Sequence, residues 1–317
     1  MTTAVDIVLV LVGLALAIAG SDVAVDYTRA IAARLGAPAF VVGVVLVALG
    51  TDLPEIANSI AAHLQDAGDV NVGDSVGSTL TQYTFVLGLF PLVIAVIAVS
   101  RRQVGIVTLL TAGGLALTAL LVSDGHLGRP DGIVLVAAWA LATLVVVRTA
   151  GGHVVEEPPQ VRVAAIGGQT AIVLTSLGVV GVGATLAVRS LVDLAERVGI
   201  PEFVLAFFGA SLGTSAPEIA VDLTALARGA PQIALGDALG SSMIDATLSI
   251  GAGPIVAPAD VTARLAVVGS LYALMAVSLV GALLVARRRH DRISAAACMA
   301  LYGLAYLVVV GADVGAD

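Results

Sequence analysis

The sequence lacks lysine and has few charged residues of any kind. Only 12% of its 317 residues are charged, against about a quarter in an average soluble domain, and its mean hydropathy is +1.05. This composition excludes a soluble globular protein, because most of the chain cannot face water. The single cysteine, Cys298, excludes an internal disulfide. The formal net charge of −8 disfavours a nucleic-acid partner, since such proteins carry basic patches.

Signals for enzymatic chemistry are also scarce. The four histidines and the one cysteine have no spacing that suggests a zinc site. No phosphate-binding loop follows a strand. The sequence therefore predicts neither an enzyme nor an organic cofactor.

Apolar runs of helical length, in contrast, recur from end to end. We count ten, each long enough to cross a hydrocarbon core of about 30 Å, and predict an all-α polytopic membrane protein in a lipid bilayer. The predicted spans are residues 4–33, 38–63, 71–99, 103–122, 131–148, 163–198, 202–227, 231–257, 263–286 and 293–311.

The distribution of arginine orients these spans. With the N-terminus outside, eleven of the fifteen arginines lie in inner loops and four in outer loops, as the positive-inside bias requires. We therefore predict a plasma-membrane protein with both termini outside and a cytoplasmic linker at residues 149–162.

The chain repeats itself at a fixed offset of 163 residues. Residues 50–57 (GTDLPEIA) match residues 213–220 (GTSAPEIA), and residues 73–78 (GDSVGS) match residues 236–241 (GDALGS). Each half holds five predicted spans. Because five is an odd number, the second half enters the membrane from the opposite side, so the repeats are inverted. The predicted repeats are residues 1–148 and 163–317.

Each repeat carries a proline inside an apolar span. Pro54 and Pro217 cannot donate a backbone hydrogen bond and clash with the carbonyl four residues earlier, so we expect both helices to break. Irregular backbone at this depth is tolerated only around a cavity or packed protein. Carbonyls freed beside a carboxylate suit a hard cation. The pattern predicts a broken-helix ion site where the repeats meet.

Acidic residues accompany both breaks. Glu55 and Glu218 lie in mid-span, where a lone charge costs at least ~2.5–3.5 kcal/mol. Asp52, whose counterpart is Ser215, and Asp245 bring the central carboxylates to four. Four carboxylates cannot all stay ionised without bound cations or protons. We expect one to titrate near neutral pH, and a cation affinity that is flat from about pH 5 to pH 9 would contradict this.

A polar stripe follows on the next span of each repeat. Ser78 and Gln82 stand four residues apart and share one helix face, as do Ser241 and Asp245. Gln82 and Asp245 are counterparts at the 163-residue offset. These side chains are further candidate cation ligands.

The paired blocks resemble the signature repeats of the Na⁺/Ca²⁺ exchangers in the calcium/cation antiporter superfamily, and the resemblance covers nearly the whole chain. It implies exchange of Ca²⁺ for Na⁺ by alternating access around four ion positions, with the first and sixth spans sliding past the rest.

The resemblance also implies a role for each candidate site residue. Ca²⁺ is held by Glu55 and Glu218 with the carbonyls of Thr51 and Thr214. The inner monovalent site is lined by Ala48, Thr51, Glu55 and Ser78. The outer monovalent site is lined by Ser211, Thr214, Ser215, Glu218 and Ser241. The middle position is flanked by Gln82 and Asp245.

Two departures from the family pattern keep alternatives open. The family commonly has serine or a small residue at the position of Asp52, and asparagine at that of Gln82. The leading prediction is export of Ca²⁺ against Na⁺ influx. The alternatives are H⁺-coupled exchange with Asp52 as the proton carrier, exchange of Mg²⁺ or Mn²⁺, and a cation channel. The sequence does not set the oligomeric state, and a monomer is compatible with it.

Overall fold

The computed structural model describes residues 3–149, 161–162, 165–197 and 215–314. In the first repeat the helices are α1 Thr3–Leu35, α2 Ala39–Val42, α3 Ala48–Thr51, α4 Leu53–Leu64, α5 Gly68–Thr81, α6 Leu87–Val93, α7 Arg101–Leu121 and α8 Arg129–Thr149. In the second repeat they are α9 Ile166–Arg197, α10 Ala216–Ala227, α11 Pro231–Ile244, α12 Ile250–Val256, α13 Ala263–Arg287 and α14 Arg292–Val314.

Several of these helices can span a membrane. Within the described ranges, six helices are long and apolar enough to do so, and α2–α3 with α4 passes the same test as a broken pair. The predicted span 202–227 is described only from residue 215 onward.

The secondary structure follows the sequence repeat. At the offset of 163 residues, α4 maps onto α10, α5 onto α11 and α6 onto α12 with identical bounds. The π-helical segments Gln82–Val86 and Asp245–Ser249 map onto each other in the same way. A further π-helical segment, Gly43–Val47, joins α2 to α3. The repeat therefore extends to helical irregularities that no sequence motif marks.

The chain forms two compact units, the first containing residues 1–51 and 153–237. In this unit α1 packs along α9 with the backbones in contact, as small residues allow. A Cβ added to Gly13 would lie 2.5 Å from the Gly183 carbonyl oxygen, and one added to Gly20 would lie 2.9 Å from that of Ser176. The two helices are therefore antiparallel, and exchanging the repeats exchanges the two contacts.

The second unit contains residues 52–152 and 238–317. Here α5 approaches the end of α11 at Thr79, whose hydroxyl lies 3.5 Å from the carbonyl oxygen of Ser242. These two residues are counterparts in the repeat. In the same unit α4 and α8 both pack on α12, and α13 packs on α7.

Short antiparallel strands lie in the connections of the second unit, which the sequence did not predict. Strand β1 (Val96–Ala98) pairs with β4 (Arg289–Asp291), and β2 (His126–Leu127) pairs with β3 (Ala259–Asp260). The third predicted span, 71–99, is therefore too long. Its helix ends at Val93 because the following residues pair as a strand.

Two histidines in these strands have shifted pKa values. A hydrogen bond between His126 Nδ1 and Asp260, 2.7 Å long, raises the pKa of His126 by favouring its charged form. Burial lowers the pKa of His290. His290 Nε2 lies 2.6 Å from the Leu87 carbonyl oxygen, so this nitrogen carries the proton and donates it.

Candidate cation-binding site

The first of the two helix breaks that the sequence predicts, the one before Pro54, is confirmed. Helix α3 ends at Thr51 and α4 begins at Leu53, with Pro54 in its first turn and Asp52 (φ −82°, ψ 2°) between them. Ser215 has nearly the same conformation (φ −83°, ψ 6°) in front of α10. Proline is tolerated in a first turn because the backbone N–H there has no partner within the helix.

Thr51, Ala48, Ser215 and Glu218 are buried in the first unit. The Thr51 hydroxyl lies 3.2 Å and 3.1 Å from the carbonyl oxygens of Val47 and Ala48. It also lies 3.4 Å from Asp237 Oδ1. The carbonyl oxygen of Ala48, a predicted residue of the inner monovalent site, is therefore within hydrogen-bond distance of the Thr51 hydroxyl.

Three predicted carboxylates lie in the second unit and are buried. Asp52, Glu55 and Asp245 are 1%, 3% and 1% exposed, and an oxygen of Asp52 lies within 4.8 Å of one of Glu55. Asp245 is close enough for both charges to act on it, and the hydroxyl of Ser249 donates to Asp245 Oδ1 at 3.1 Å. Buried carboxylates this close repel one another unless a cation or proton compensates them.

Three further predicted ligands of the second unit carry neutral oxygens. Ser78, Gln82 and Ser241 are also buried in the second unit. Gln82 begins one π-helical segment and Asp245 the other, and such segments are frequent at functional sites. Gln82 Oε1 and Glu55 Oε2 accept no hydrogen bond from any described residue. Oxygens of this kind are suitable ligands for a hard cation.

Two of the predicted ligands, Ser211 and Thr214, lie outside the described residues. Sequence reasoning missed one contact near the carboxylates. Asn58 donates to Asp74 at 2.6 Å, and the charge of Asp74 acts on both Glu55 and Asp245. The Gly-Asp block marked Asp74, but no spacing indicated its partner.

Comparisons with known proteins find similar sequences and a similar fold. The family model described as "Sodium/calcium exchanger protein" matches residues 5–148 and 168–311. The putative antiporter CaxA of Alkalimonas amylolytica is 28% identical over 95% of this chain and 98% of its own. The sodium/calcium exchanger MaX1 of Methanosarcina acetivorans is 24% identical over 96% of this chain and 98% of its own.

The fold is similar to that of a solved exchanger. A structure of the sodium-calcium exchanger NCX_Mj, soaked with Na⁺ and Sr²⁺, superposes with a TM-score of 0.81 at 25% identity and covers 96% of this chain and 99% of the exchanger. The predicted fold class is thereby confirmed: an all-α polytopic membrane protein with two exchanger repeats.

Proposed function

Because the chain belongs to the sodium/calcium exchanger protein family, we propose that it is a secondary active antiporter that exports Ca²⁺ in exchange for Na⁺ by alternating access. One observation carries the proposal. The carboxylates of Asp52, Glu55 and Asp245 are buried close to one another, and Glu55 Oε2 and the buried Gln82 Oε1 accept no hydrogen bond from a described residue. Such a group is costly in a membrane protein unless cations occupy it.

The assignment of residues to ions follows the family pattern. Ca²⁺ is coordinated by Glu55 and Glu218 with the backbone oxygens of Thr51 and Thr214. The inner Na⁺ position uses Ala48 and Ser78 in addition, and the outer Na⁺ position uses Ser211, Ser215 and Ser241. Gln82 and Asp245 flank the middle position. The repeats at 1–148 and 163–317, a cytoplasmic linker between them and termini outside a plasma membrane belong to the same proposal.

A second candidate is H⁺-coupled exchange. It is favoured by the proximity of Asp52 to Glu55, because one member of a close carboxylate pair is readily protonated. Asp52 then carries the proton that replaces Na⁺. Exchange of Mg²⁺ or Mn²⁺ in place of Ca²⁺ is the third alternative.

The test is ⁴⁵Ca²⁺ uptake into proteoliposomes with an outward gradient of either Na⁺ or H⁺. Uptake driven only by Na⁺ supports the proposal, and uptake driven only by H⁺ supports the second candidate. Glu55→Gln is the matched control, since it keeps the shape of the side chain and removes its charge. Uptake that does not saturate, or that needs no counter-ion, indicates a channel. Absence of uptake in both gradients contradicts Ca²⁺ as the substrate and calls for the assay with Mg²⁺ and Mn²⁺.

A further inference from the structure

Helix α4 carries three buried polar residues on one face. Glu55, Ser59 and His63 are spaced four residues apart and therefore project from the same side of the helix. Their exposed fractions are 3%, 1% and 2%. Glu55 is the proposed ligand, whereas the function so far leaves Ser59 and His63 unexplained.

Ser59 and His63 attach this face to helix α12. The backbone N–H of Gly253 donates to Ser59 Oγ at 3.0 Å, and His63 Nδ1 lies 2.7 Å from the carbonyl oxygen of Ala257. Gly253 makes the approach possible, because a Cβ there would lie 2.6 Å from the Ser59 carbonyl oxygen and would also collide with the His63 ring.

Asn71 on α5 adds a third attachment. Its Nδ2 lies 3.0 Å from the carbonyl oxygen of Ile250 and 2.9 Å from His63 Nε2. The Ile250 carbonyl is the one that Pro254, four residues later, cannot use. A buried carbonyl without a donor is costly, and Asn71 supplies the donor.

These contacts place the ring proton of His63 and both amide hydrogens of Asn71. Carbonyl oxygens only accept, so His63 Nδ1 is protonated and one Asn71 Nδ2 hydrogen points to Ile250. The other Asn71 hydrogen meets the lone pair of a neutral His63 Nε2. The nitrogens of His63 and Asn71 are thus all paired in one arrangement, which favours rigidity.

The attachment joins the backbones of two proposed ligands. Helix α12 continues directly from the π-helical segment Asp245–Ser249, so holding α12 also holds Asp245. The other repeat has no equivalent group in its sequence: positions 222, 226 and 234 hold Asp, Leu and Ala. Helix α10, the counterpart of α4, therefore lacks these three attachments.

We infer that Ser59, His63 and Asn71 form a clasp of positioning residues that sets the register of Glu55 against Asp245 and thereby the affinity for the transported divalent cation. This inference rests on the proposed function. A clasp that positions ligands affects Ca²⁺ affinity, whereas one that only stabilises the fold affects the melting temperature alone.

The experiment measures Ca²⁺ affinity, the KM and kcat of exchange, and the melting temperature for the purified full-length protein. The test variants are His63→Leu and Asn71→Ala, which introduce the residues of the other repeat. His63→Asn is the conservative variant, because its amide can still donate to the Ala257 carbonyl. Tyr272→Phe is the matched control, since it removes another interhelical bond from a side chain to a carbonyl, the 2.6 Å contact with Leu301.

We expect His63→Leu and Asn71→Ala each to weaken Ca²⁺ affinity and raise KM about tenfold, equivalent to about 1.4 kcal/mol, and His63→Asn to recover most of this loss. Tyr272→Phe lowers the melting temperature without changing KM. Unchanged affinity in both test variants overturns the clasp as a positioning device. If one variant does not fold, the other decides. Failure of the wild-type protein to bind or exchange Ca²⁺ overturns the proposed function instead.

Discussion

Gln82, at the scale of one residue, is a proposed ligand whose burial should lower stability. Its Oε1 is buried and receives no hydrogen bond from the described residues, which costs ~1–3 kcal/mol. We expect Gln82→Leu to raise the melting temperature of the ion-free protein while weakening cation affinity. Thermal unfolding in detergent, with and without Ca²⁺, measures both effects. A variant that is destabilised without ions shows that Gln82 has a structural partner.

Asp52 is the residue that distinguishes the two repeats, because its counterpart is Ser215. Its carboxylate lies within 4.8 Å of that of Glu55, and two such charges attract a divalent cation more strongly than one. We expect Asp52→Ser to weaken Ca²⁺ binding at least tenfold at neutral pH, a loss of about 1.4 kcal/mol, and to leave Na⁺-driven uptake measurable at high Ca²⁺. Flux assays over a range of Ca²⁺ concentrations test this, with Asp52→Asn as the control for side-chain shape. Uptake driven by H⁺ that survives Asp52→Ser contradicts a proton-carrying role.

The sequence identified residues whose chemistry repeats and missed those that act through contacts. Glu55, Gln82 and Asp245 could be found because a carboxylate or amide stands at a fixed offset inside an apolar span. His63 and Asn71 could not, because the carbonyls they contact lie 194 and 179 positions away and the other repeat has Leu and Ala at their equivalent positions. Burial and partner geometry, which only the fold supplies, distinguish such residues from ordinary polar ones.

At the scale of helices, each repeat contains a second proline that frees a carbonyl. Pro91 cannot donate to Leu87, and Pro254 cannot donate to Ile250; these two carbonyls are counterparts. The protein satisfies them with different residues. His290 Nε2 donates to Leu87, whereas Asn71 Nδ2 donates to Ile250. The backbone requirement is therefore symmetric although the side chains that meet it are not.

This arrangement predicts a rescue. We expect His290→Leu to destabilise the protein by ~1–3 kcal/mol, because the Leu87 carbonyl is left without a donor. Adding Pro91→Ala restores a backbone N–H and should recover part of the loss. Thermal unfolding of the wild type, both single variants and the double variant measures the coupling. Strictly additive effects would contradict the assigned bond.

The same histidine gives a pH dependence of defined sign. Burial lowers the pKa of His290 in the folded protein, so below pH ~6.5 the unfolded chain binds a proton that the folded protein does not. The wild type therefore loses stability through this residue as the pH falls from about 7 to 5. Consequently, the stability advantage of the wild type over His290→Leu should shrink over this range. An advantage that stays constant would show that the pKa of His290 is the same in the folded and unfolded states.

At the scale of whole elements, the sequence predicted the helices and breaks but not the π-helical segments or the strands. Proline and periodicity mark a break such as that before Pro54. A π-helical turn such as Gln82–Val86 differs from an α-helical turn by one residue and leaves no pattern in composition. Strand β1 (Val96–Ala98) continues an apolar run and was therefore included in the third span.

For the whole molecule, the strand pairs and the arginine bias give one consistent topology. Strand β1 lies between the third and fourth spans and pairs with β4, between the ninth and tenth. Strand β2 lies between the fourth and fifth spans and pairs with β3, between the eighth and ninth. In each pair, an even number of predicted spans separates the two connections, so both connections lie on the same side of the membrane. Arg102 should accordingly face the cytoplasm and Ser123 the outside.

Cysteine labelling tests this topology. Cys298 is the only natural cysteine and is buried, so the wild type should react little with a membrane-impermeant maleimide. Ser123 and Arg102 are exposed. We expect Ser123→Cys to be labelled in intact cells and Arg102→Cys only after permeabilisation, because the positive-inside bias orients the chain with its N-terminus outside. The reverse result would invert the orientation and leave the count of spans intact. Labelling of both variants from one side would contradict the ten-span topology itself, since the single span between them, α7, must separate the two positions.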